Sequence, residues 1–156
     1  MRLVYQRVSR AAVTADGCPA GQIEKGVLLL LGVGQEDSEQ DADLLAKKAA
    51  ELRVFEDENG KMNLSLLDIG GGALVVSNFT LYGNCRHGRR PEFLGAARPD
   101  KAVPLYEYFV KALKALGVSR VETGVFGADM AIEMTADGPV TLVMDSADLA
   151  KRKDTV

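Results

Sequence analysis

The chain has 156 residues, of which 47% are hydrophobic and 26% charged, with a net charge of -3; this length suits one compact core and this composition excludes a largely disordered protein. The acidic balance means that the surface as a whole does not draw in a polyanion from afar, so any nucleic-acid contact has to be local. The alternating polarity of Met1 to Arg7 argues against a signal peptide, and the longest apolar run, Val27 to Leu31, falls far short of the roughly 20 residues of a membrane span, so a soluble, cytoplasmic protein with no membrane partner is expected.

Leu3 to Thr14 alternates loosely, is rich in Val and Thr, and meets Asp16-Gly17, a dipeptide that favours a tight hairpin leading into a second arm from Cys18 to Glu24. Lys25-Gly26 then introduces Val27 to Val33, whose unbroken apolar run predicts a central strand covered on both faces. Ser38, with Asp41 three residues on, forms a variant of the capping box ahead of a helix whose apolar face is Ala42, Leu45, Ala46, Ala49 and Leu52. Arg53 to Phe55 reads as a short strand and Glu56 to Gly60 as a polar turn. Gly70-Gly71-Gly72 interrupts the chain before Ala73 to Val76, a second buried strand that delivers Ser77 to Leu81 at its end. Pro99-Asp100 opens a second helix with the stripe Ala102, Leu105, Tyr106, Phe109, Leu113 and Leu116, stopped by Gly117; its aromatics read as core. Val118 to Thr123, Asp129 to Thr135 and Val140 to Met144 read as three closing strands, the last two joined by a turn at Ala136-Asp137-Gly138-Pro139.

So many strands with only two helices predict an α/β protein of α+β character. The expected architecture is a barrel-like pair of mainly antiparallel β-sheets with two helices packed on one side, rather than a doubly wound parallel sheet. One domain is expected over residues 1–146, followed by a polar tail over 147–156.

An ordinary hydrolase triad needs a base, and the chain has a single histidine, His87, with no GxSxG motif. His87 lies among arginines and reads as a solvated loop residue. Cys18 and Cys85 lack CxxC spacing and read as plain thiols; without His or Cys clusters or a readable acidic site, no metal and no cofactor are expected. Gly32-Val33-Gly34 follows a strand, but the third glycine of a dinucleotide loop would fall at Asp37, so it reads as a turn. Arg86, His87, Arg89, Arg90, Arg98 and Lys101 crowd one stretch, with a second basic group at Lys151, Arg152 and Lys153. These are either a solvated loop and a frayed tail or a local RNA contact.

Two segments remain: Ser77-Asn78-Phe79-Thr80-Leu81 at a strand end and Gly138-Pro139-Val140-Thr141 opening another. The first resembles the S-Q-F-T-L signature of D-aminoacyl-tRNA deacylases and the second their N-x-G-P-V-T signature. Gln6 to Ala11, Phe55 to Asp57, Lys61 to Ser65, Gly88 to Pro91 and Phe126 to Met130 also match that family, so the resemblance runs from Met1 to about Ser146. It implies the family's fold, D-tyrosyl-tRNA deacylase-like, and an ester hydrolase that frees D-amino acids from the 3'-terminal adenosine of tRNA, in translation quality control. It further implies a homodimer in which each subunit's Gly138-Pro139, joined by a cis peptide and held by Arg7, enters the other's pocket as a chiral filter. The substrate would be bound there beside Phe126 and Met130, and catalysis would fall to the segment Ser77, Asn78, Phe79 and Thr80. Main-chain amides near Phe79 and Thr80, aided by the substrate's own 2'-hydroxyl, are favoured over Thr80 as a covalent nucleophile, for which no base is evident. Selection by steric exclusion would admit glycine as well as D-residues. Two positions depart from the family pattern: Asn78 replaces glutamine, and Ala136 replaces asparagine. Competing readings are a non-catalytic RNA-end binding module and a related deacylase that clears other misacylated tRNAs.

Overall fold

Residues 1–150 are described here by a computed structural model. Its organising element is β1, Arg2–Ala15, which is 14 residues long. Its first half pairs antiparallel with β3, Gly26–Gly32, and its second half with β2, Cys18–Ile23, across the hairpin at Asp16-Gly17. Both turn residues have positive φ, 49° and 82°, the conformation for which that dipeptide is suited. β3 continues in parallel to β6, Gly72–Ser77, and β6 to β7, Arg120–Thr123. The other edge of β1 carries β8, Met130–Asp145. The sheet has six strands and curls so far that β2 returns to β7: a Cβ added to Gly21 would lie 2.8 Å from the carbonyl oxygen of Thr123. The expected barrel-like architecture is present, its two layers being parts of one continuous sheet.

β3 shows why the fold holds. Val27, Leu29 and Leu31 point to one side, where they pack with Leu45 and Ala49 of α1, Glu39–Glu51, and with Phe109 and Leu113 of α3, Pro99–Ala115. Leu28 points to the other side, into the barrel, against Val8, Ile23, Leu74 and Val76. An apolar run without alternation is what a strand covered on both faces requires. α1 begins as its sequence predicts, with the Ser38 amide donating to the Asp41 carboxylate at 2.8 Å, and α3 begins at Pro99, where a missing N–H costs nothing.

Four local expectations change. The short strand is β4, Phe55–Glu56, displaced from Arg53–Phe55, and it pairs with β5, Met62–Leu64, around a loop in which the Asp57 carboxylate accepts the amides of Asn59 and Lys61 at 2.8 and 3.1 Å. A single helical turn, α2, Leu66–Ile69, is closed by reciprocal bonds between Ser65 and Asp68 of 2.8 and 3.1 Å. The expected tail begins as a helix, α4, Ser146–Ala150, with Ser146 buried and Leu149 against the helical core; the basic group Lys151 to Lys153 lies outside the described residues.

The largest correction concerns Ala136 to Pro139, which do not form a turn joining two strands. The chain never reverses: both halves of β8 run antiparallel to β1 on the same edge. Gln6 pairs with Thr141 and Val8 with Ala136, so the single residue Arg7 faces four, Asp137 to Val140. The surplus leaves the ladder as an outward excursion, an extended form of bulge.

Candidate active site

A cleft of about 510 Å³ opens at the carboxyl ends of the parallel strands β3 and β6, the place where adjoining parallel strands leave room for a ligand. Leu31 comes from β3 and Val33 from just past its end, Ser77 and Asn78 from the last residue of β6 and the one after it, Ala102 and Tyr106 from α3, Phe126 from the segment leading into β8 and Met130 from its first position. The Asn78 amide donates to the Leu31 carbonyl at 2.8 Å, which carries the strand pairing one step beyond β6. The chain then tightens into a 3-10 turn, Phe79–Tyr82.

Asn78 caps this turn. Its side-chain oxygen accepts the Thr80 amide at 3.2 Å and also the Thr80 hydroxyl. The shorter amide side chain at this position is therefore engaged locally, and so are both donors of Thr80. The Phe79 amide, first in the turn, has no acceptor within it, which leaves it available to a ligand. The Phe79 ring is 57% exposed and meets Phe93 edge-on, with centroids 5.2 Å apart. Across the cleft Tyr106 donates to the Val75 carbonyl at 2.8 Å, and burial pushes its phenol up to about 12, so it stays neutral as a fixed wall beside Phe126.

A second group gathers where β8 leaves the ladder. The Gly138-Pro139 peptide is cis, as the resemblance implies, and Gly138 has φ 119°. Arg7, only 4% exposed, donates from Nε to the Asp137 carbonyl at 3.1 Å and from Nη1 to the Val54 carbonyl at 2.6 Å; its Nε is also 3.3 Å from the Asp137 carboxylate. On the far side of the excursion the Gln6 side chain donates to the Val140 carbonyl at 3.3 Å and accepts the Thr141 hydroxyl at 2.5 Å. Arg7 thus fixes the entry and Gln6 the exit. Gly138 and Pro139 are themselves exposed.

The residues singled out from the sequence fall into two sets. Ser77, Asn78, Phe79, Phe126 and Met130 line the cleft, with Thr80 exposed at its rim; Arg7, Gly138 and Pro139 stand together elsewhere and do not line the cleft of their own chain. Phe93 and the cleft-facing role of Tyr106 were not foreseen, and neither was the strap between Gln6 and Thr141. Phe93 carries no signal of spacing or pattern; the Gln6–Thr141 pair shows only once β1 and β8 are known to be neighbours. His87 is exposed in its loop, and Cys18 and Cys85 are free and exposed. Among the residues that line the cleft none carries a carboxylate, imidazole or thiol. This set can orient and polarise a carbonyl but has no side-chain base with which to activate a nucleophile of its own.

The sequence model of the D-Tyr-tRNA(Tyr) deacylase family matches residues 4–145. The D-aminoacyl-tRNA deacylase of Koribacter versatilis (strain Ellin345) is 60% identical over 146 residues, 94% of this chain and 97% of the relative. That of Thermus aquaticus is 60% identical over 148 residues, 95% of this chain and 97% of the relative. Among solved structures, one titled "c-Myc DNA Unwinding Element Binding Protein" superposes with a TM-score of 0.87 at 36% identity, over 93% of this chain and 98% of that one. A probable eukaryotic D-amino acid tRNA deacylase shares the fold, with a TM-score of 0.80 at 17% identity, over 92% of this chain and 98% of its own.

Proposed function

This chain belongs to the D-Tyr-tRNA(Tyr) deacylase family, and on that premise we propose that it is a D-aminoacyl-tRNA deacylase, an enzyme that hydrolyses the ester between a D-amino acid and the 3'-terminal adenosine of tRNA. The observation that carries the finer reading is the division of labour within one chain. An apolar cleft ends at an unengaged Phe79 amide, while a braced, exposed main-chain projection at Gly138-Pro139 is no part of the lining of that cleft. Two copies related by a twofold axis complete each other if the projection of one enters the cleft of its neighbour. Exposed apolar side chains along β8, with Ile132, Met134 and Val143 at 38%, 49% and 75%, are surface that such a contact would cover.

In this reading the ester carbonyl accepts the Phe79 amide, which stabilises the oxyanion as water adds to the carbonyl carbon. The adenosine 2'-hydroxyl relays the proton that the attacking water loses. Collapse then breaks the ester C–O bond, and the products are the free D-amino acid and a 3'-hydroxyl on the tRNA. An aminoacyl ester is activated already, so alignment with water supplies much of the acceleration. Thr80 is not the nucleophile in this reading, because its hydroxyl donates to an amide oxygen, which is no base, and no carboxylate or imidazole lines the cleft to activate it. Carbonyl groups of the neighbour's Gly138 and Pro139 close around the substrate's α-carbon and leave room for hydrogen but not for an L side chain; glycine passes the same gate. Residues 1–146 together with α4 act as one domain, and the work is proofreading of charged tRNA in the cytoplasm.

The direct test is to incubate the purified protein with D-tyrosyl-tRNA and with L-tyrosyl-tRNA. Release of the D-residue alone is expected. Unchanged half-lives for both esters would leave a non-catalytic RNA-end binding module, and equal hydrolysis of both would remove the filter.

A further inference from the structure

We infer that the hairpin from Asn84 to Glu92 is the surface that grips the tRNA backbone just inside the acylated end, with Arg89 and Arg90, aided by Arg86, as its phosphate ligands. This rests on the deacylase reading and adds to it the element that separates a tRNA from a small ester.

The hairpin is built rather than loose. Main-chain bonds of 2.8 and 3.1 Å join Asn84 and Glu92, the Asn84 side chain accepts the Arg86 amide at 3.1 Å, and Gly88 reverses the chain at φ 67°. Every residue from Cys85 to Glu92 is exposed. Its base is the wall of the cleft: Phe93 follows Glu92 directly, lines the cleft and packs edge-on against Phe79. A polynucleotide whose last ribose is held beside Phe79 therefore has the hairpin as its immediate neighbour.

The charge on this hairpin has no internal purpose. Three arginines and the histidine fall within positions 86 to 90 of a chain whose net charge is -3. Three other arginines do find carboxylates, Arg2 with Asp145 and Arg120 with Glu122 at 3.0 Å and Arg7 with Asp137 at 3.3 Å. Among the described residues no carboxylate lies within ion-pair distance of Arg86, Arg89 or Arg90. Unpaired guanidinium groups held out on a structured loop match the planar, bidentate geometry of phosphate oxygens. They also give an acidic protein a local field of the kind a polyanion needs.

The test compares wild type with Arg89→Ala/Arg90→Ala and with Arg89→Lys/Arg90→Lys on D-tyrosyl-tRNA and on 3'-O-D-tyrosyladenosine, across a salt series. For the alanine pair, kcat/KM on the tRNA should fall at least tenfold at low salt, mainly through KM. The slope of log kcat/KM against log salt should become shallower by about 1.4, two phosphates at roughly 0.7 each for a single strand. The adenosine ester should be cleaved within twofold of wild type, and the lysine pair should recover most of the slope. An equal loss on both substrates, or an unchanged slope, overturns the inference. Anisotropy titration of uncharged tRNA over the same salts separates this result from failure of the deacylase reading. If wild type cleaves neither ester, the catalytic reading falls, yet the alanine pair must still flatten the binding slope, and an unchanged binding slope overturns the hairpin's role.

Discussion

Gly138→Ala perturbs the proposed filter with little else changed. A φ of 119° is open to glycine and closed to L-residues, and holding alanine there costs on the order of 1–3 kcal/mol. Space is short as well: the added Cβ would lie 3.0 Å from the Val140 main-chain nitrogen and 3.0 Å from Nη2 of Arg7. Arg7 is not free to yield, because its guanidinium is committed to the carbonyls of Val54 and Asp137, so relief must come from movement of the excursion. The ladder with β1 resumes on both sides of it, from Gln6–Thr141 in one direction and, past a further register shift at Ser9, from Arg10–Thr135 in the other, which keeps the movement local. At roughly 2–4 °C per kcal/mol for a domain of this size, the melting temperature should fall by roughly 2–12 °C. A displacement of about 1 Å in positioned groups is worth up to about a hundredfold in rate, so the ratio of kcat/KM for D- over L-tyrosyl-tRNA should drop at least tenfold. Scanning fluorimetry and a deacylation time course on both esters measure the two quantities. A variant that melts in the expected range yet keeps the wild-type D to L ratio would refute selection by this segment, and an unshifted melting temperature would refute the strain argument itself.

Other outcomes follow from the same contacts. Thr80→Ala should retain at least a third of the wild-type kcat, since the proposed donor to the oxyanion is the Phe79 main chain and Thr80 already bonds to Asn78; near-total loss in a variant with a normal melting temperature would restore Thr80 as nucleophile. Arg7→Met leaves the Val54 and Asp137 carbonyls without their donors and should cost roughly 2–4 kcal/mol by urea denaturation. Asp137→Ala should cost less than about 1 kcal/mol, because that carboxylate is 47% exposed while the bonds of Arg7 to main chain survive; equal losses for the two variants would contradict this assignment.

Periodicity reported which faces are buried, and so it located β3, β6, α1 and α3. It said nothing of partners. Ala136-Asp137-Gly138-Pro139 carries the composition of a hairpin turn, and only the register of β8 against β1 shows that the chain bulges and carries on. The single turn of α2 is too short for an amphipathic stripe, and its one trace, Ser65 followed by Asp68, gains meaning only from the bonds between them. The family motifs named both segments of the proposed site, yet in one chain those segments do not meet, and spacing along the sequence holds no sign of that. Asn78 shows the limit most plainly: its departure from glutamine looks like a loss of reach, whereas the shorter side chain closes the turn that presents Phe79.

β1 serves as the ruler against which three other strands are cut. An inserted or deleted residue between Arg2 and Ala15 would slide β2, β3 and β8 together and turn core side chains outward. Length variation in this architecture must therefore accumulate away from that strand, at places such as the loop between β4 and β5, while the offset of Arg7 against Asp137 to Val140 can be inherited only as an undivided unit.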